Sequence, residues 1–570
     1  MKGSQEVTRM KKIIPAIVAI ALIIIVLLCS FAVRIAQKYS YSTEQQDLNE
    51  YYSIENDEDV AIVLQNEIIE TKAKLLEGSY YLDFASIQQL LNDRFYVDTN
   101  ENLLIYTTPY DIIKNEIGSA AFNISGQEET TDYIISRYEG DTLYVALDYV
   151  KKYTNFSYEA FIEPNRIQLR TQWGERISAD VKKDSAVRIK GGVKSPILRE
   201  VTEGETLVVL EKMDTWTKVK TSDALIGYIE NKHLKEEVSE QEIEVTDYVE
   251  PEYTSIHKDY KINMGWHQVM AQAANGDFDN VVNGTGTMNV ISPTWFSLID
   301  NEGSISSIAS ADYVNKAHAR NMEVWALVDN FNDDVNTYEV LSYTSKRAVL
   351  IQNIMTQVLN NDIDGINVDF EELDYETGEH FTEFLRELSI ECRKNGIVLS
   401  VDNYVPREST THYNRKEQGV IADYVIIMGY DEHWGSGGVA GSVASIGFVE
   451  DGIVKTLEEV PAEKIINAIP FYTRVWKTTG DQVTSEAVGM ETAENFIHKN
   501  NVEVRWDEET CQNYGEVQLG DTFYQVWLED NQSIETKLTI MSKYDLAGVA
   551  EWKLGFEKPD IWNVIDSYVK

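Results

Sequence analysis

The sequence predicts a multidomain protein ending in a (β/α)8 barrel, preceded by a small all-β barrel, an α+β segment of two related halves, and one N-terminal transmembrane helix. Three observations lead there. Ile13 to Val33 runs without a charge, residues 185–236 alternate in period two, and eight apolar strand-like runs alternate with helical stretches after residue 261. The chain has 570 residues, with 94 Asp+Glu against 50 Lys+Arg and a formal charge of −44. An excess of that sign repels phosphate backbones, whereas nucleic-acid binders need a basic surface that displaces counterions. Nucleic acid is therefore excluded as a partner.

At a rise of about 1.5 Å per residue, segment 13–33 is long enough to cross a bilayer core. Lys2, Arg9, Lys11 and Lys12 precede it, while Arg34 and Lys38 follow. This bias places 1–12 as a cytoplasmic tail and the rest outside the cell membrane, facing the wall. A cleaved signal peptide is the alternative, but the run exceeds the ~7–15 apolar residues of a signal core and no small-x-small site follows it. Leu28, directly before Cys29, is too bulky for a lipoprotein cleavage box. Residues 34–58 are polar and acidic without periodicity and read as an extended stalk.

Next, Gly78-Ser-Tyr-Tyr-Leu-Asp-Phe, Tyr96-Val-Asp and Leu104-Ile-Tyr-Thr are echoed by Gly140-Asp-Thr-Leu-Tyr-Val-Ala-Leu, Tyr158-Glu and Ile167-Gln-Leu-Arg-Thr. An offset of roughly 61 to 64 residues predicts a duplicated strand, helix, strand, strand unit. Segment 59–172 resembles the copper amine oxidase N-terminal-like domain of bacterial surface proteins. It contains no histidine, so copper finds no support. Over 185–236, Trp216-Thr-Lys-Val and Gly227-Tyr-Ile lie among alternating strands, and the stretch resembles a bacterial Src-homology-3-like domain. The resemblance implies contact with wall peptide or glycan, while packing is the simpler reading of Trp216 and Tyr228. A carboxylate-rich linker, 237–260, follows.

The eight runs of 261–570 begin at Ile262, Met288, Val324, Gly365, Ile397, Tyr424, Ile465 and Ala547. Chemistry in such barrels belongs to the C-terminal strand ends, where Asp369, Glu371, Asn403, Tyr404, Tyr430 to Glu432, Tyr472 and Trp552 gather. The sharpest signal is Asp364-Gly-Ile-Asn-Val-Asp-Phe-Glu371. Strand alternation turns Asn367, Asp369 and Glu371 to one face and Ile366, Val368 and Phe370 to the helices. Two acids on one face, about 6.5 Å apart along the strand, raise the pKa of one of them, as a glycosidic acid requires.

This stretch resembles the DxxDxDxE signature of glycoside hydrolase family 18, the chitinase and N-acetylglucosaminidase barrels. Met428-Gly-Tyr-Asp-Glu-His, Ile469-Pro-Phe-Tyr-Thr-Arg-Val-Trp, Val526-Trp-Leu-Glu-Asp with Ser533 and Lys537, and Gly548-Val-Ala-Glu-Trp-Lys-Leu-Gly are similar to its spore-cortex-lytic branch. The resemblance implies a substrate-assisted retaining glycosidase acting on a polysaccharide that contains N-acetylglucosamine, peptidoglycan or chitin, without metal or cofactor. It implies Glu371 as acid and base, Asp369 as orienter of the substrate acetamide, and Tyr430 as its hydrogen-bond donor. Asn367, Met428, Asp431, Tyr472, Trp527 and Trp552 would bind the sugar, Trp552 as the floor. The middle Asp of the signature is here Asn367, which predicts an altered pH profile. A catalytically silent glycan-binding protein is the rival class, since this fold is reused for lectins.

Plainer readings compete at single residues. Asp364-Gly-x-Asn-x-Asp could be a calcium loop, but Val368 and Phe370 alternate as in a buried strand. Asp364 reads as structural, His433 as a rim histidine or a base, and Trp266 and Trp295 as packing or sugar-stacking groups. Cys392 and Cys511 read as core residues that could also pair outside the cell.

Overall fold

The computed structural model describes residues 3–243 and 246–570, with side chains from residue 14 onward. Residues 1 and 2 of the expected tail, the side chains of 3–13, and Glu244 and Val245 of the expected linker lie outside that description. Helix Gly3–Tyr39 contains an exposed apolar stretch, Ile14–Tyr39, long and apolar enough to cross a membrane. The chain divides into two compact units.

The first unit comprises Met1–Asp93, Gly118–Ala120 and Thr131–Glu250. One seven-stranded sheet runs Ser157–Phe161, Arg166–Arg170, Asp59–Leu64, Glu67–Leu76, Ser79–Asp83, Thr142–Ala146 and Ser136–Glu139. A second, all antiparallel, carries the five strands between Ser185 and Glu230 with Glu175–Asp180 and Val238–Gln241 added at its edge. Val181, Val187, Leu207, Val219 and Ile229 form its core. The expected stalk is not free chain. Ser42 and Gln46 donate backbone bonds to Val193 and Ile197, and a short helix, Leu48–Tyr52, buries Tyr52, whose hydroxyl donates to the Ala224 carbonyl. Apolar aromatics in the stalk, Tyr51 and Tyr52, outweigh its polar average.

The second unit comprises Arg94–Ile117, Ala121–Thr130 and Pro251–Lys570. Both echoed segments show strand, helix, strand, strand, but their hairpins part company. Ser157–Phe161 and Arg166–Arg170 join the first unit beside Asp59–Leu64, with Ala61 opposite Arg166. Phe95–Asp98 and Leu103–Thr107 instead open a five-stranded sheet in the second unit. There Asp98 accepts from the backbone and hydroxyl of Thr344 at 2.7 and 2.6 Å, and the Tyr96 hydroxyl meets Nδ1 of His380 at 2.7 Å. Buried polar groups of this kind are tolerated only when paired.

Eight parallel strands close on themselves: β1 (Ile262–His267), β2 (Val290–Leu298), β3 (Glu323–Asp329), β4 (Gly365–Asp369), β5 (Val398–Tyr404), β6 (Tyr424–Met428), β7 (Ile465–Pro470) and β8 (Gly548–Trp552). Strand parity sorts their side chains. Met264, Trp266, Trp325, Leu327, Ile426 and Ala468 form one buried cluster, inside. Ile366, Val368 and Phe370 join Leu350, Ile354, Phe381 and Phe384 of the surrounding helices in another. The last residues before β1 are docked rather than loose: the Ile256 amide donates to Asp423 and Lys258 pairs with Glu323. Between β7 and β8 a five-stranded antiparallel sheet is inserted, from Tyr472–Thr479 to Thr522–Leu528. Cys392 is buried, Cys511 is partly exposed, and both are free thiols.

Candidate active site

Strand β4 delivers its polar face upward in layers. Asn367 is fully buried and uses its whole amide: it accepts from Trp266 Nε1 at 2.8 Å and Ser292 Oγ at 3.2 Å, and donates to Ser400 Oγ at 3.2 Å and Asp402 Oδ1 at 2.9 Å. That corrects the expectation of a sugar-binding Asn367, because no donor or acceptor is left for a ligand. Asp369, one layer higher, is 5% exposed, and its Oδ1 has no partner among the described residues. It lies in register with Asp329 at the end of β3.

Glu371 follows just past the strand end. Its backbone is clamped by one side chain, since Asn330 Oδ1 accepts from the Glu371 amide at 2.9 Å and Asn330 Nδ2 donates to its carbonyl at 3.0 Å. The Tyr404 hydroxyl donates to Glu371 Oε2 at 2.6 Å. Glu372 then takes a left-handed backbone, φ 53°, the conformation that tends to collect at functional turns.

Burial raises the Asp369 carboxyl well above the usual carboxylate range, reinforced by the charges of Asp402, Glu371 and Asp329. Burial also raises Glu371; the Tyr404 hydrogen bond opposes this, and Asp431, Glu372 and Asp329 add to it. Asp402 is pushed well up by burial, against the Asn367 amide and with Glu371. Carboxyls crowded this way cannot all ionise, so a proton is retained among them near neutrality.

Tyr430 stands close enough to feel Asp369, Asp402 and Glu371, and burial holds its phenol protonated. Gly429, just before it, admits no side chain, because a Cβ there would sit 2.7 Å from the Ala468 carbonyl oxygen. Asp431 then turns left-handed, φ 57°, and accepts from the Tyr472 hydroxyl at 2.5 Å. The Tyr430 and Tyr472 rings meet edge to face with centroids 6.2 Å apart. Met428 ends β6 and is buried, and Trp552 ends β8, part-buried against Trp266 at 5.8 Å. Trp527 lies on the inserted sheet, packed against Tyr514 at 4.7 Å. A cleft of about 640 Å³ opens beside Glu371, walled by Asn330, Phe331, Tyr338, Glu372 and Asp374. Its size is that of a small-ligand pocket.

Several plainer readings are settled by contacts. Trp266 spends its N–H on Asn367 and Trp295 on Asn275, and both are buried, so neither offers a face to sugar. Asp364 accepts from the Val324 amide and pairs with His318 at the foot of β4, a structural role. The ring of His433 bonds the Ser442 carbonyl at 2.8 Å. Asn403 points away from the mouth and bonds Gln418 on the adjoining helix at 2.6 Å. Asp402 was missed, although parity along Ser400, Asp402 and Tyr404 marks it as an inward residue.

Comparison with known proteins identifies the family of the barrel. Residues 225–557 match the family described as glycosyl hydrolases family 18. A Bacillus subtilis protein described as the uncharacterized glycosylase YvbX is 26% identical over 293 residues, 49% of this chain and 84% of its own length. The cortical fragment-lytic enzyme of Bacillus subtilis is 30% identical over 244 residues, 41% of this chain, so the chain spans only 56% of that relative. The crystal structure of the Bacillus cereus spore cortex-lytic enzyme SleL superposes with a TM-score of 0.50 at 22% identity, over 54% of this chain and 74% of that one, a likeness of fold. With the matched segment spanning the barrel and its acid-bearing fourth strand, the chain belongs to glycosyl hydrolases family 18.

Proposed function

We propose that the barrel hydrolyses β-1,4 bonds of an N-acetylglucosamine-containing glycan by a substrate-assisted retaining route, with peptidoglycan as the natural polymer. The observation that carries this reading is Glu371, a carboxyl raised by burial and aimed by Tyr404, at the edge of a cleft and one strand step from the unpartnered Asp369 Oδ1. Glu371 gives its proton to the glycosidic oxygen as the C1–O bond breaks. The carbonyl oxygen of the substrate's own acetamide bonds to C1 from the opposite face, forming an oxazolinium ion. Asp369 accepts the acetamide N–H, which orients the nucleophile and offsets the positive charge that develops. Tyr430 donates to the acetamide, and Trp552 supports the flat face of the ring. Water then attacks C1, passing its proton to Glu371, and the configuration is retained because the bond has been inverted twice. No enzyme nucleophile is needed, which departs from the usual pair of carboxylates.

Peptidoglycan is favoured over chitin by the exposed apolar helix Ile14–Tyr39, which supports a single-pass enzyme with its barrel outside the membrane, and by the cortex-fragment lysis for which the Bacillus subtilis relative is named. The wall-module resemblances of 59–172 and 185–236 support the same placement. A silent glycan-binding protein is opposed by the presence of both acids. The test is release of reducing ends from peptidoglycan and from N-acetylglucosamine oligomers. Glu371→Gln should lower kcat by about 10²–10⁴-fold; turnover unchanged in that variant would sink the assignment.

A further inference from the structure

Just past the apolar helix, residues 42–46 lie beside the chain that enters strand Ile197–Val201 and run parallel to it. The Ser42 amide donates to the Val193 carbonyl, the Gln46 amide to the Ile197 carbonyl, and the Ile197 amide to the Glu44 carbonyl, each at 2.8 Å. Arg188 ties the two segments together, its Nη1 donating to the carbonyls of Ser42 at 3.0 Å and Ser195 at 2.6 Å. Parallel pairing fixes direction as well as register. What precedes Val193 therefore lies on the side of what precedes Ser42, so the hairpin tip, residues 190–195, is brought to the end of helix Gly3–Tyr39. There Lys194 Nζ donates to Ser40 Oγ at 2.9 Å.

The uncharged run stops at Val33 and the helix at Tyr39, about 9 Å further along its axis, which is comparable to the headgroup layer of one leaflet. Tyr39 and Tyr41 remain exposed, as aromatic side chains do at that depth. Four cations gather here, Arg34 and Lys38 on the helix and Lys190 and Lys194 on the hairpin tip. Among the described residues none of the four has a carboxylate within ion-pair distance, whereas Lys212, Lys232 and Lys235 of the same unit pair with Glu237, Glu230 and Asp180. Residues 182–194 carry Lys182, Lys183, Arg188, Lys190 and Lys194 against Asp184 alone, in a chain whose charge is −44. Cations left unpaired in so acidic a chain call for an anion from outside it, and at headgroup depth that anion is a lipid phosphate.

We infer that the hairpin tip 190–195, together with Arg34 and Lys38, docks on the headgroups of anionic phospholipids, which lays the first unit on the bilayer surface instead of letting it swing from its anchor. The inference rests on the reading of Ile14–Tyr39 as a membrane span and is independent of the glycosidase reading. The strap 42–46 makes the docking possible, because a free stalk would let the two lysines drift beyond the Debye length of the surface, about 8 Å at physiological salt. Each lysine held within that distance strengthens the docking by about fivefold.

The experiment reconstitutes the full chain into bilayer discs of phosphatidylcholine, alone or mixed with phosphatidylglycerol. Lysines are acylated with a water-soluble ester and read by mass spectrometry, with the exposed Lys152 as reference. In the anionic discs Lys190 and Lys194 should react about fivefold more slowly than in the neutral ones, and the difference should vanish in ~1 M salt, where the Debye length falls to about 3 Å. Lys194→Gln should restore most of the reactivity of Lys190, while Lys194→Arg should keep it protected. Inorganic phosphate added to the neutral discs should protect neither lysine. Equal reactivity in the two bilayers, or protection by phosphate alone, would overturn the inference. Release of the protein from vesicles by alkaline carbonate defeats the membrane span and the docking with it, whereas retention with both lysines unprotected defeats the docking alone.

Discussion

The Tyr404 hydroxyl lies 2.6 Å from Glu371 Oε2, at the end of the strand next to the one that carries the acid. It stabilises the ionised form of a carboxyl that burial and three neighbouring acids push the other way. A general acid works only while protonated, so activity falls as pH rises through the Glu371 pKa. Tyr404→Phe removes the one contact that lowers that pKa, so the descending limb of kcat/KM against pH should move to higher pH. The rate at the optimum should fall about tenfold, because the carboxyl also loses its aim. A limb that stays put or moves to lower pH would contradict this placement of the hydrogen bond.

Asp402 and Asp369 are buried carboxyls whose folded-state pKa values lie well above the ordinary 3.8. The native state therefore binds more protons than the unfolded chain above about pH 4, and the pair's contribution to stability is lost as pH rises through the raised values. Asp402→Asn keeps an oxygen to accept from Asn367 and removes one of the competing charges. Thermal melts should find the variant more stable at pH 8 by about 1–3 kcal/mol, with the gap closing below about pH 4. A gap that instead widens in acid would reverse the sign argued here.

Gly429, directly after β6, leaves no room for a side chain beside the Ala468 carbonyl. Gly429→Ala should leave the circular dichroism spectrum native while lowering kcat by about 10²-fold, because displacing the strand end moves Tyr430 and Asp431 together. Wild-type turnover in this variant would mean that the mouth tolerates such a shift.

Arg347 is fully buried and pairs with Glu387 at 2.9 Å between the helices Thr344–Asn360 and Gly378–Asn395 that flank β4. Arg347→Met leaves a buried carboxyl without its cation and should cost about 3–5 kcal/mol in chemical denaturation. Arg347→Met with Glu387→Leu should recover most of that loss. A double variant as weak as the single one would show that Arg347 acts through Tyr96, Thr344 and the Leu341 carbonyl, its other partners, rather than through the ion pair.

Much of the barrel was legible because its signals are local. Eight apolar runs at strand length, and the period-two alternation of Asp364 to Glu371, depend only on which face each residue presents. The same rule named Asp369 and Glu371 as neighbours on one face. It also held the means to find Asp402, an inward residue two before Tyr404, but a lone acid in an apolar strand carries no mark of its own until a second strand is laid beside it.

The sequence by itself determined the family, the acid pair and the apolar N-terminal helix, since each resides in a contiguous stretch whose chemistry is set by spacing. Only the tertiary structure decided that Asn367 is spent inside the barrel, that Tyr404 aims the acid, and that two hairpins with similar sequences join different sheets. Those outcomes depend on which distant groups compete for the same hydrogen bond or sheet edge, and strand alternation is silent about what lies across a gap.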